Sequence, residues 1–201
     1  MPAPFLFELH LTVAPLPLAQ EAAFEATCTA LAGRALLIEL ARGAHAQQPM
    51  LSKVIAAESL GAALQEAGRL AKELGRAGFL VCRSKIEIPA TEACRFKEST
   101  ESFTPYFEWH GRVHSERTRE LETLCIGHGA HLSRNTLRTD PLRRFVTLRE
   151  HGAQAIFTAR VAALETDLVQ HGWAVAKQQS EYCIYDNHQP LDHGWLLPAA
   201  Y

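Results

Sequence analysis

Two histidines in this chain stand in matching surroundings: Phe7-Glu8-Leu9-His10 returns as Phe107-Glu108-Trp109-His110. An imidazole titrates near neutral pH, and a neighbouring carboxylate fixes its tautomer and raises its pKa. Glu8 with His10 and Glu108 with His110 are therefore candidate acid and base groups. A second carboxylate pair, Glu87 and Glu181, recurs near the end of each half. Cations accompany both sets, Arg83 and Lys85 in the first, Arg112 and Lys177 in the second. Arginine suits bidentate contacts with phosphate or carboxylate, so this group is expected to bind an anion. Arg134 and Arg149 join it from a basic cluster that also holds Arg138, Arg143 and Arg144. For at least half of that cluster an exposed, charge-solubilised hairpin serves equally well as an explanation.

The repetition extends beyond the histidines. Glu25-x-x-Cys28 matches Glu122-x-x-Cys125, and Leu70, Leu74 and Gly78-Phe79 match Leu164, Leu168 and Gly172-Trp173, in the same order and at a steadily shrinking offset. Each half carries the same succession of patterns. In the first, Phe7, Leu9, Leu11 and Val13 alternate with Glu8, His10 and Thr12, the period of a strand with one wet face. A helix follows over 18–32, strands over 35–40 and 49–56, a helix over 58–77 with Leu60, Ala63, Leu64, Ala67, Leu70, Ala71 and Leu74 on one stripe, and a strand over 79–88. In the second, strands are expected at 106–114, 130–137, 143–150 and 173–185, with helices at 115–127 and 153–171.

The order βαββαβ is that of a ferredoxin-like unit, whose first and last strands are antiparallel neighbours and whose helices cover one sheet face. The expected fold is α+β, two tandem ferredoxin-like units whose polar sheet faces form a cleft. The expected boundaries are a first repeat over 1–90, a linker over 91–105, a second repeat over 106–186 and a C-terminal tail over 187–201. In the tail Asp186, His188, Asp192 and His193 read as turn chemistry, and Trp195 as an anchor or cap.

Composition narrows the functional classes. A net charge of -2 with 21% charged residues offers no broad attraction to nucleic acid or an anionic membrane. No stretch approaches the roughly 20 apolar residues of a membrane span, and Met1-Pro2-Ala3-Pro4 does not open a signal peptide, so the protein is expected in the cytoplasm. Five scattered cysteines without a Cys-x-x-Cys pair argue against a disulfide framework and a thiolate zinc site. There is no Gly-x-Gly-x-x-Gly, Walker loop or Gly-x-Ser-x-Gly elbow. The polar faces lack the exposed aromatics by which such sheets stack RNA.

Two resemblances bear on the chemistry. His10-Leu11-Thr12 and His131-Leu132-Ser133 resemble the two His-x-Thr/Ser motifs of a family of two-lobed phosphoesterases, which implies a phosphoester substrate. The symmetry departs from that family's, since the repeat pairs His10 with His110. The set His10, Glu87, His110 and Glu181 resembles the ligands of metal-dependent glyoxalase-like proteins, which implies a divalent transition metal, although those modules carry one helix rather than two.

Together these features predict an enzyme or binder for a small anionic, phosphorylated ligand, with His10 and His110 as acid and base of a hydrolase or lyase. Glu8, Glu108, Glu87 and Glu181 would orient them, and Arg83, Lys85, Arg112, Lys177, Arg134 and Arg149 would hold the anion. No cofactor is expected, the divalent metal being the alternative. Neither a membrane nor a nucleic-acid partner is expected, and the oligomeric state stays open. The competing interpretation is a non-catalytic interaction protein whose polar faces form a structural ion-pair network.

Overall fold

The computed structural model of the protein describes residues 4–96, 103–137 and 140–194. Arg138 and Trp195, singled out above, lie outside them.

The elements fall close to where periodicity places them. The first half runs β1 (Phe5–Val13), α1 (Leu18–Ala30), β2 (Arg34–Leu40), β3 (Gln47–Ala57), α2 (Leu60–Arg76) and β4 (Val81–Pro89). The second runs β5 (Tyr106–His114), α3 (Thr118–Gly127), β6 (Ala130–Asn135), β7 (Arg143–Glu150), α4 (Gln154–Gln170) and β8 (Lys177–Asp186). Helix α2 starts under a Ser59 cap, whose hydroxyl accepts from the Ala62 N–H at 3.2 Å. Helices α2 and α4 end alike. Gly78 and Gly172 take φ of +90° and +85°, a conformation open to glycine, and the next N–H, from Phe79 or Trp173, donates back to Leu74 or Leu168. That turn tucks Phe79 and Trp173 into the two cores, where they are 5% and 4% exposed.

The assembly of these elements differs from the expectation. The eight strands form one closed antiparallel barrel, in the order β1-β3-β2-β6-β7-β5-β8-β4, with four helices outside it. Tandem ferredoxin-like units facing each other across a cleft are therefore not the architecture. The two sheets are stitched together at both seams, by β2 with β6 and by β4 with β8, all through backbone hydrogen bonds. Closure leaves no sheet edge unpaired.

The apolar faces point outward under the helices. Phe7, Leu9, Leu11, Leu51 and Ile86 meet Phe24, Leu70 and Leu74 in one core, and Trp109, Leu132, Val146 and Leu148 meet Leu121, Phe157 and Leu164 in the other. Each large side chain buried this way contributes about 1.5–3 kcal/mol. Cys28 and Cys125 belong to these layers, where burial pushes both thiols up to about 12 and removes them from thiolate chemistry. Leu80, just before β4, is exposed. Phe96, at the start of the expected linker, packs edge-on against Phe5 and Phe7.

With the apolar faces committed to the helices, the polar faces become the barrel lining. An eight-stranded barrel is just wide enough for its side chains to fill. Glu8, His10, Lys85, Glu87, Glu108, His110, Arg149 and Glu181 are thus forced into one interior.

Candidate functional site

The barrel has two unlike ends. At one, where β8 finishes and β4 begins, a 3₁₀ turn over Gln189–Asp192 folds Asp192 over the lumen. Arg83 grips Asp186 through Nε at 2.9 Å and Nη2 at 2.5 Å, and holds both oxygens of Asp192 at 2.9 Å. Arg149 reaches Asp192 at 2.7 Å and Glu108 through Nε at 2.7 Å, with its guanidinium 4.1 Å over the Tyr106 ring. Tyr106 donates to Asp186 at 3.0 Å, and Gln48 donates to Asp192 at 3.4 Å. These groups are all buried. This end is closed.

The other end, where β1 and β8 begin and β5 runs out, is reached by solvent. Leu6 and Val54 are more than half exposed there, and Arg34, Lys177 and Gln179 are exposed. Here the repeat shows its geometry. His10 Nε2 lies 3.0 Å from Glu87 and 3.7 Å from Glu8; His110 Nε2 lies 3.4 Å from Glu181 and 3.5 Å from Glu108. Each imidazole is held by a carboxylate two residues before it and by one from the strand that closes its half. The antiparallel registers that pair Glu8 with Glu87 and Glu108 with Glu181 produce both trios. Gln179 bridges them, donating to Glu8 at 3.2 Å and Glu181 at 2.7 Å. Ser52 donates to Glu8 at 2.8 Å, and His110 Nδ1 is bonded to Thr147 at 2.9 Å.

The electrostatics follow from burial and pairing. Burial opposes charge on His110, but its hydrogen bonds and charge contacts with Glu108 and Glu181 prevail and raise it to about 10. His10 is raised for the same reason, burial being outweighed by Glu87 and then Glu8. His110 is therefore imidazolium at neutral pH, and His10 is shifted in the same direction. Glu87 and Glu108 lie below the usual carboxylate range despite burial, held there chiefly by Lys85, with Arg149 also acting on Glu108. Glu181 moves the other way, raised by burial and by the charge of Glu87. The site thus pairs a proton-rich imidazole with the one carboxylate of the four that holds its proton more tightly than usual.

The expected anion-binding residues separate. Lys85 Nζ sits 2.8 Å from Glu87 and bonds Glu108, Arg83 is taken up by Asp186 and Asp192, and Arg149 by Glu108 and Asp192. Across the interior six carboxylates face the buried Arg83, Lys85 and Arg149 and the two imidazoles, leaving aside Arg34, Arg112 and Lys177 toward the open rim. Arg83, Lys85 and Arg149 are each taken up by carboxylates in this way, and the phosphorylated ligand expected from the sequence is not supported. Arg112 and Lys177 pair across β5 and β8 near the open rim, and Arg134 lies on the outer face, ion-paired with Glu39. His131 of the second His-x-Thr/Ser motif lies on β6, where burial and then the charges of Arg42 and Arg149 lower it to about 3. It is a neutral ring in a different electrostatic state from His10, so the two motifs do not act as a matched pair.

Ser52, Thr147, Gln179 and Asp192 were not among the expected site residues. The first three share a register row with His10 or His110, so correct strand pairing would have found them. The register also sets Leu36 and Met50 on the lumen face with Thr12, and Phe145 with Arg112; all three apolar side chains are partly exposed. The lumen therefore has apolar side chains beside its charged ones. The sets Glu8, His10, Glu181 and Glu87, His110, Glu181 bring ligand atoms within 4.8 Å of one another, and a metal bound there would displace the proton that the carboxylates hold on the imidazole.

No protein-family model and no curated protein matches this sequence. Among solved structures, a heme-binding protein from Thermus thermophilus aligns over 92% of both chains at 12% identity, with a TM-score of 0.29. A putative monooxygenase from Fusobacterium nucleatum aligns over 98% of this chain and 99% of its own at 9% identity and 0.36. A mutant chlorite dismutase from Candidatus Nitrospira defluvii aligns over 96% and 94% at 13% identity and 0.30. The first of these is described as heme-binding, which differs from the sequence-based expectation of no cofactor with a divalent transition metal as the alternative. No helix among the described residues is long and apolar enough to cross a membrane.

Proposed function

We propose that the chain binds a small molecule at the open end of its barrel, and that His110 and Glu181 exchange a proton with it. The observation that carries this proposal is the placement of His110. Its imidazole lies between Glu108 and Glu181, is 32% exposed at the solvent-reached end, and has its pKa raised to about 10. His10, 14% exposed, is the matching group one layer deeper. The part of the ligand that enters between the two trios is neutral or cationic, because four carboxylates there face two imidazoles and Lys85. The ligand carries an apolar part, which Leu36, Met50 and Phe145 would cover. His110 would act as the acid and Glu181 as its proton-sharing partner, with Gln179 tying the two halves of the site together. Glu8, Glu87 and Glu108 hold the imidazoles in register.

Heme, the group bound by the T. thermophilus protein, requires a broad apolar slot and an axial ligand. Here the helix-side layers are filled by side chains such as Phe24, Trp109 and Phe157, and both lumen imidazoles face carboxylates. Cavities of about 240 and 40 Å³ have no histidine in their lining. The described residues do not fit heme as they stand.

The proposal is tested by thermal shift and calorimetry with butylamine, benzylamine, their neutral amides and matched carboxylates, on the wild type and His110→Gln. A ligand at 100 times its Kd stabilises by about 2.7 kcal/mol, several degrees for a chain of this size. Stabilisation by an amine or amide that His110→Gln loses supports the site. Stabilisation by the carboxylates alone, with His110→Gln responding like the wild type, overturns it.

A further inference from the structure

The outer face of the barrel carries a second constellation that the lumen chemistry does not use. Where β2 meets β6, one of the two seams joining the halves, a cavity of about 240 Å³ opens beside the first turn of α3. Its apolar lining is Leu40, Ala41 and Leu132; its polar lining includes Thr118, Glu39, Arg134 and Arg144. It lies on the opposite side of the sheet from His110, since Leu132 belongs to the helix-side core.

The two arginines differ in how they are held. Arg134 pairs with Glu39, its Nε 2.7 Å from the carboxylate. Arg144 donates to the Pro141 carbonyl at 2.6 Å, the Arg143 carbonyl at 2.9 Å and the Thr118 hydroxyl at 3.3 Å, and among the described residues no carboxylate forms an ion pair with it. Burial and then the nearby charge of Arg134 lower its pKa, against Asp140 and Glu39, which raise it. The lining of the pocket itself holds two guanidiniums and one carboxylate beside an apolar floor. We propose that this seam pocket binds a small organic carboxylate, its anion held by Arg144 and Arg134 and its apolar body lying on Ala41 and Leu132.

The charge balance selects the ligand class. A single negative charge neutralises the pocket, whereas a doubly charged phosphate leaves an excess that Glu39 repels. Arginine's planar fork also matches a carboxylate's two oxygens. Occupancy would bridge the halves, because Leu40 and Ala41 come from the first and Leu132, Arg134 and Arg144 from the second.

The test is calorimetric titration of the full chain with benzoate, isobutyrate and inorganic phosphate, alongside Arg144→Gln and Glu39→Gln. Benzoate or isobutyrate binds saturably in the wild type and phosphate more weakly. Arg144→Gln weakens the carboxylate roughly tenfold or more, the range expected for one charged hydrogen-bonding partner. Glu39→Gln strengthens carboxylate binding and admits phosphate, because it frees Arg134; this variant decides the matter if Arg144→Gln does not fold. Absence of saturable binding, preference for phosphate in the wild type, or affinities unchanged in Glu39→Gln overturns the assignment.

Discussion

The two ends of this barrel are built from the same residue types and put them to different use. At the closed end Arg83, Arg149, Asp186 and Asp192 are fully enclosed, and each charge meets an opposite one through two or more hydrogen bonds or ion pairs. At the open end two imidazoles and Lys85 share four carboxylates, one of which, Glu181, is driven toward its protonated form. Charge that is saturated and dry locks a structure; charge that is under-compensated and wet can take up a proton or a ligand. The difference lies in counter-charge and solvent access rather than in residue type.

Perturbing the closed end produces the largest effects. Arg83→Met strands Asp186 and Asp192 in a dry interior, and about 3–5 kcal/mol of stability should disappear from urea unfolding. Adding Asp186→Asn and Asp192→Asn to that variant should recover part of the loss, because the stranded charge is then gone. Asp192→Asn alone weakens the bonds from Arg83, Arg149 and Gln48 that hold the Gln189–Asp192 turn, and about 1–3 kcal/mol is expected. Limited proteolysis should then begin from the C-terminus.

At the open end the effects are smaller and depend on pH. His110 has a folded pKa near 10, above its ordinary 6.5, so its contribution is complete below pH 6.5 and is lost as pH rises toward 10. The raised Glu181 contributes in the same direction, favouring the folded state while it is protonated. The wild type should therefore lose stability across pH 6.5–10, and His110→Gln should flatten that slope while costing roughly 1 kcal/mol at pH 7. A His110→Gln profile parallel to the wild type's would show that another group sets the slope. Lys177→Gln, on the exposed start of β8, should change stability by no more than about 0.5 kcal/mol.

Much of the open end was legible in the sequence. Alternation in β1 puts Glu8 and His10 on one face and Leu9 on the other, and the repeat marks Glu108 and His110 as their counterparts. An antiparallel neighbour for β1 brings Glu87 to His10. The closed end was not legible, because its partners lie far apart in sequence, Arg83 bonding Asp186 and Arg149 bonding Asp192; the same holds for Lys85 of the open end, which bonds Glu108. None of these contacts has a local signal, so Lys85, Arg83 and Arg149 read as free cations for an anion. The same gap hid the barrel. Strand periodicity says which face of β2 or β4 is wet, and nothing in either strand says that its neighbour is β6 or β8 rather than solvent. Asp192 read as turn chemistry, which it supplies, and its second role depends on where that turn lands.

The central claim is that the carboxylates of the open end raise the proton affinity of both its histidines, His110 the further. It is tested most directly by following the ring carbon-bound protons of His10 and His110 by NMR from pH 5 to 11, each assigned with its His→Gln variant. The account predicts that His110 stays protonated at pH 7 and titrates near 10, that His10 titrates above its ordinary 6.5, and that His131 shows no step above pH 5. Titration of His110 at or below its ordinary 6.5 would contradict it.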